Sequence, residues 1–428
     1  MPERSIFMSY IVSEKTKTAL QQLLSIPEVA DGLNYIEEDQ DHCIAEQIEL
    51  TLTESPTFHE ETRANLFKNK FEDLGLSDVH IDRGGNVVGT LKGSGNGPTV
   101  LVEGHLDTVF PFGSVHEVVT KDGYLHAPGI GDDTRALAMI LSVIRGMKHA
   151  NVKTSGDIVF VGTTREEGMG SLGGMKDFLD DNADHIDASI SIDGASIADI
   201  TFEATGFKTY EVNFYGIGGH AYGAFGTMAN ALHAAARSVA KIADFQVSDD
   251  PKTTFCVSNF HAGNDSGVHA IVPKATIKFN FRSNSAELLN ELDERIFKAI
   301  QEACDEETAR WGKDTITWDS KIYCDVPAGT QDPHIPIVES VYSVIEHLGM
   351  KPNFLQGGST NCNMAIDKGI PAICIGRGYY PEGTPVQTFV HNINEKYPIE
   401  GAYKGVQETY LMALLCAGVE GVDSIIEK

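Results

Sequence analysis

The chain has 428 residues, roughly two to three times the length of a typical single domain, so two folding units are expected. Apolar residues make up 42% and charged residues 22%, a globular composition that excludes a disordered, collagenous or disulfide-scaffold protein. Lys and Arg number 33 against 61 Asp and Glu, a formal charge of −28 without any basic patch. Such a chain repels phosphate backbones and anionic lipid, so nucleic acid and membrane are excluded as expected partners.

The seven cysteines (Cys43, Cys256, Cys304, Cys324, Cys362, Cys374, Cys416) are odd in number, widely spaced and form no C-x-x-C pair. This argues against a disulfide framework or thiolate zinc site and for a reducing compartment. The start, MPERSIFMSYIVSEK, lacks a cationic, apolar leader, and there is no apolar run of about 18 residues. A soluble, cytoplasmic protein is expected.

In chain order, residues 1–45 read as an acidic helical lead-in. A helix follows in which Ala64, Phe67, Phe71 and Leu74 share one face and Gly75 ends it. From Asn86 onward short apolar runs recur: NVVGTL, TVLVEG, DIVFVGTT, ASISIDG and, much later, PAICIGRG. Runs that are apolar at nearly every position predict strands covered on both faces, as in a mostly parallel sheet flanked by helices, one of them from Ala136 to Met147. After Ala204 the pattern alternates in YEVNFYG and ATIKFNFRS, with helices at ALHAAARSVAKIADF and from Ala286 to about Trp311. Alternation predicts strands with one wet face and a small α+β layer. Near Val326 the earlier style returns with PIVESVYSVIEHLG, QGGSTNCN, PAICIG and a last helix. The expected fold is α/β, a mostly parallel doubly wound catalytic domain (1–204 and 326–428) with an inserted α+β domain (205–325).

Five segments place His, Asp or Glu directly after a buried strand or at the mouth of a helix, where ligands bind in a doubly wound sheet. They are TVLVEGHLDTVF with His105 and Asp107, APGIGDDTRALAMIL with Asp132 and Asp133, DIVFVGTTREEGMGS with Glu166 and Glu167, SISIDGAS with Asp193, and TFVHNIN with His391. Taken singly, each has an ordinary structural explanation: a strand-end polar pair, a helix cap, solvated glutamates, a turn residue, a structural histidine. Their order and setting together point to a metal site.

That ordered set resembles the M20 family of dinuclear metallopeptidases and amidohydrolases, over roughly Ser55 to Gly418. ESPTFHEE, GGHAYG, NDSGVHAIVPKATIKFNFRS and GGSTNCN add to the likeness. The resemblance implies two divalent ions, zinc or else manganese or cobalt, one held by His105 and Asp193, the other by Glu167 and His391, with Asp132 bridging. It implies that Asp107 orients His105 and that Glu166 is the general base toward a metal-bridging water. It further implies that His220, on the inserted domain, hydrogen-bonds the developing oxyanion and that Arg282 grips a substrate carboxylate. It also implies that Gly357 and Gly358 form a turn where backbone approaches substrate, with Asn259 and Asn264 as further polar contacts. The inserted domain is expected to act as a lid and to form a homodimer.

Two positions depart from the family pattern. Thr134 followed by Arg135 stands where many relatives have Lys two residues after the bridging Asp, so the local charge partner is expected to shift to Arg135. Asn361 stands where Asp is common, removing a charge near the expected substrate end. The implied activity is cleavage of amide bonds in small peptides, as an aminopeptidase or a di- or tripeptidase. An N-acyl-amino-acid amidohydrolase is the alternative, and a catalytically silent binding protein is disfavoured by the complete ligand set.

Overall fold

The structure, a computed structural model, describes residues 10–311 and 316–427; the first nine residues of the expected lead-in lie outside them. The chain forms two compact units, Met1–Ala204 with Thr330–Lys428, and Thr205–Gly329.

In the larger unit a six-stranded sheet runs in the order Ser77–Ile81, Val87–Leu91, Ile158–Thr163, Val100–His105, Ala188–Ser196, Ala372–Gly378. The last four are mutually parallel, and the first two are antiparallel additions at one edge. The apolar runs form these strands because both faces are buried. Val100, Val102, Ile190, Ile192, Ile373 and Ile375 enter one core with helices Thr134–His149 and Tyr403–Ala417. Leu101, Val161 and Cys374, at alternate positions, are buried outside it. Helix Glu61–Asp73 seats Phe67 and Phe71 in the core and ends where Gly75 takes a φ of +65°, the left-handed conformation that favours glycine at a helix terminus.

The lead-in is three helices, Glu14–Leu24, Pro27–Glu38 and Gln40–Leu52, reaching seven residues beyond the expected boundary at 45. It is integral to the unit, since Leu23, Val29, Ile36, Cys43 and Leu50 belong to the main core. Ser13 caps the first helix by accepting from Thr16 N.

In the smaller unit a four-stranded antiparallel sheet is ordered Thr253–Ala262, Lys274–Ser283, Gly206–Tyr215, Thr317–Val326. Tyr210, Val212, Phe214, Ile277, Phe279 and Phe281 bury against helices Ala231–Ala243 and Ala286–Trp311, alternating with wetter positions. The two outer strands carry weak alternation because they lie at the sheet edges, and sequence reading did not pick them out.

Candidate active site

All eight sequence-selected carboxylates and imidazoles of the larger unit converge at the carboxyl ends of its parallel strands. His105 closes one strand and Asp193 lies in the next, Glu166 and Glu167 follow Ile158–Thr163, and Asp132 precedes the helix that begins at Thr134. His391 comes from the loop before the short strand Lys396–Pro398, with its backbone in the left-handed region at φ 60°.

The two oxygens of Asp132 face different partners. Oδ1 lies 3.1 Å from His105 Nε2, and that same nitrogen is 3.9 Å from Asp193 Oδ1. Oδ2 lies 3.3 Å from His391 Nε2, which is 3.0 Å from Glu167 Oε1. Three groups, His105 with Asp132, Asp133 and Asp193, His105 with Glu166 and Glu167, and Asp132 with Glu167 and His391, each bring their donor atoms within 4.8 Å of one another. These are imidazole and carboxylate donors without thiolate, a set that fits divalent ions such as zinc, manganese or cobalt. The backbone places the remaining polar groups around them. Asp133 Oδ2 accepts from His105 N at 2.7 Å, and the Asp132–Asp133 peptide is cis.

Asp107 does more than the expected task. The ring Nδ1 of His105 lies 2.9 Å from the backbone carbonyl of Asp107, whereas the Asp107 carboxylate is 3.6 Å away. That carboxylate accepts instead from the backbone N–H groups of Glu166 and Glu167, both at 3.0 Å, and from Thr57 Oγ1 at 2.9 Å. It therefore fixes the turn that presents both glutamates, while the peptide of Asp107 orients the imidazole. Although burial opposes it, the neighbouring His105 imidazole and the two backbone N–H groups hold the Asp107 carboxyl below its usual range. The ESPTFHEE phrase serves the same turn, for Glu60 Oε1 accepts from Phe58 N and Arg165 N at 2.9 and 3.0 Å. Burial, then the charges of Asp193, Glu167 and Asp107, push the Glu166 carboxyl well above its ordinary range against the opposing pull of His105.

Two contributors escaped sequence reading. Arg377, in the buried strand Ala372–Gly378, donates through Nη1 to Asp132 Oδ1 and Asp133 Oδ1 at 2.8 Å and to Asp193 Oδ1 at 3.1 Å. Glu395 accepts from the N–H groups of Gly129, Gly131 and Asp132 at 2.8 to 2.9 Å, caging the loop that carries Asp132. The signals were there, an arginine inside an apolar strand and a glutamate four residues after the late histidine.

The expected charge shift to Arg135 is not observed. Arg135 is buried, donates to Gln47 Oε1, Cys43 Sγ and the carbonyl of Ala402, and stacks on Tyr397. Arg377 is the cation beside Asp132. Asn361 is tied into the interior. It is buried, and its Nδ2 donates to Glu103 Oε2 and Thr163 Oγ1, both at 2.8 Å. An Asp there would set a second carboxylate against Glu103 in a dry interior.

Gly358 donates its N–H to the carbonyl of Glu203, and a side chain there would meet Thr201. Gly357 adopts φ +77°. In the smaller unit His220 is exposed and its Nδ1 accepts from Tyr222 N and Gly223 N, both at 3.2 Å, leaving Nε2 to carry the proton. Arg282 is exposed, donates to Asn280 Oδ1 at 3.2 Å and stacks on Phe207 at 4.8 Å. Asn264 Oδ1 is taken up by the backbone and hydroxyl of Ser266, and Asn259 Oδ1 is buried without a hydrogen-bond partner.

Comparison with known proteins identifies the family. An uncharacterized protein, YqjE, from Bacillus subtilis is 25% identical over 380 residues, 86% of this chain and 96% of its own. A succinyl-diaminopimelate desuccinylase from Leptothrix cholodnii is 23% identical over 365 residues, 80% and 88% of the two chains. The fold is shared with the aminopeptidase PepT from Bacillus cereus at a TM-score of 0.72 and 24% identity, covering 87% of this chain and 98% of that one. Residues 101–414, which hold every carboxylate and imidazole of the site, match the sequence profile of peptidase family M20/M25/M40, and the chain is a hydrolase belonging to that family.

Proposed function

We propose that the protein hydrolyses the amide bonds of small peptides, as an aminopeptidase or a di- or tripeptidase, with Glu166 as the proton carrier. The observation that supports this most directly is the divided set of donors on Asp132, with His105 and Asp193 about one oxygen and Glu167 and His391 about the other, and Glu166 alongside. Two divalent ions held by these five residues, zinc by our reading, would polarise the scissile carbonyl and acidify a water. Glu166 takes the proton of the attacking water as the new C–O bond forms and passes it to the leaving nitrogen as the C–N bond breaks. Amine and carboxylate are the products. Asp107 keeps Glu166 in place through its backbone N–H.

We assign His220 a hydrogen bond from Nε2 to the carbonyl oxygen as it becomes negative, and Arg282 recognition of the carboxylate at the far end of the substrate. A homodimer formed through the smaller unit and a cytoplasmic location follow from the family likeness and belong to the same proposal.

A deacylase acting on N-acyl amino acids is the second reading, favoured by the similarity to a desuccinylase over 80% of the chain. The two are separated by incubating zinc-loaded protein with free dipeptides, tripeptides, N-acetyl and N-succinyl amino acids and following amine release. Faster turnover of the free peptides supports the peptidase. Faster turnover of the acyl amino acids replaces it with the deacylase, and no release from either class overturns both.

A further inference from the structure

We propose that Arg377 is a built-in cation that weakens one half of the metal centre, so that the Glu167–His391 half fills first and the His105–Asp193 half only at higher metal concentration. The inference rests on the two-ion reading above and concerns how the two halves differ.

The asymmetry lies in individual atoms. Arg377 Nη1 touches Asp132 Oδ1 and Asp193 Oδ1, the very oxygens nearest His105 Nε2. On the other side, Asp132 Oδ2, Glu167 Oε1 and His391 Nε2 face one another. An oxygen that already accepts a hydrogen bond from a guanidinium is a poorer donor to a second cation. A fixed positive charge within contact of two ligands also repels the ion they would hold, strongly in a buried site. Arginine cannot relieve this by losing its proton at any ordinary pH.

Nor is Arg377 free to swing away. It is 5% exposed, and its strand pairs in parallel with the strand that carries Asp193, Gly376 beside Gly194 and Gly378 beside Ser196. Tyr397 donates its hydroxyl to the Arg377 carbonyl at 2.9 Å, which pins the backbone at that point. Its third carboxylate partner, Asp133, is wholly buried and would otherwise face Asp132 and Asp193 uncompensated. The arginine thus permanently offsets part of the negative charge of Asp132, Asp133 and Asp193 and makes the neighbouring half depend less on a divalent ion for its charge balance.

The test is a titration of metal-free protein with Zn2+ against a chromophoric chelator. In the unsubstituted protein two ions should bind in separate steps differing by about 10- to 100-fold in affinity, the range over which groups behind the ligands tune a metal site. Arg377→Gln, which keeps polar donors and removes the charge, should tighten the weaker step alone and close the gap to a few-fold, while Arg377→Lys should preserve it. Independently, Asp193→Asn should abolish the weak step and Glu167→Gln the tight one. Two equally tight ions, a gap unchanged or widened in Arg377→Gln, or the reverse assignment in the Asp193 and Glu167 variants would each overturn the inference and leave the hydrolase reading standing. Failure of Zn2+ to bind at all would remove the metal centre itself, and this inference with it.

Discussion

At the scale of single residues, Glu166 and Glu408 are both buried carboxyl groups, yet their consequences differ. Glu166 sits among the proposed metal donors on a turn held by Asp107. Glu166→Gln keeps the shape and loses the proton-accepting charge, so kcat should fall by about 10²- to 10⁴-fold while zinc content, measured by elemental analysis, stays at the unsubstituted level. Loss of zinc in that variant would instead make Glu166 a ligand. Glu408 lies in the last helix, fully buried, and neither carboxylate oxygen has a hydrogen-bond partner. Burial, then the Asp199 charge, pushes its carboxyl well above the ordinary range. A carboxyl raised on folding favours the native state fully below its unfolded value and loses that contribution as pH rises through its native value. Glu408→Gln should therefore stabilise the protein in mildly alkaline buffer, by about 1 to 3 kcal/mol in urea unfolding, with the gain shrinking toward acid pH. A gain that does not vary with pH would show that Glu408 unfolds and folds with the same charge.

The elements owe their positions to a few buried polar ties. Helix Gln40–Leu52 reaches helix Thr134–His149 through Gln47 Nε2 to the carbonyl of Ile130 at 2.6 Å and Thr51 Oγ1 to Thr134 Oγ1 at 2.8 Å. Both ties land on the loop and first turn that present Asp132, so the lead-in helices are part of how the site is held. At the other end Arg145 bridges Asp39 and Glu46, each at 2.6 Å, with all three side chains at most 10% exposed. Removing one partner of such a cluster strands the others in a dry environment. Arg145→Ala should lower stability by about 3 to 5 kcal/mol, read as a shift in the urea midpoint, whereas removal of the exposed pair Lys15 and Glu427 should change it by less than about 1 kcal/mol. Equal effects would mean that the buried network is no more than surface charge.

For the molecule as a whole, the proposed ions would tie binding to folding. Asp132, Asp133, Glu166, Glu167 and Asp193 crowd one end of the sheet in a chain already carrying −28. A divalent ion that binds the native chain and not the unfolded one adds stability by mass action, about 2.7 kcal/mol at a hundredfold excess over its dissociation constant. Chelation should therefore lower Tm and abolish amide hydrolysis together, and zinc should restore both. Asp132→Ala, which removes the oxygens facing both halves, should show a Tm insensitive to zinc. If added zinc raised the Tm of Asp132→Ala as much as that of the unsubstituted chain, the ions would be binding elsewhere.

The sequence by itself determined the buried strands and the His, Asp and Glu side chains that stand at their ends. Apolar runs such as TVLVEG and ASISIDG declare doubly covered strands through local composition, and the side chain that follows such a strand is committed to the ligand end of the sheet. The alternation of Lys274–Ser283 likewise declares a strand with one wet face, since burial every second residue is a local property. Tertiary structure alone decided which charges meet. Arg377 reaches Asp132 across 245 residues, Glu395 cages Gly129 across 266, and Asn361 pairs with Glu103 across 258. No period or spacing encodes such contacts, because they arise only when distant segments are brought side by side. For the same reason Asp107 reads in sequence as a support for His105, while in the fold its carboxylate is spent on the backbone of Glu166 and Glu167.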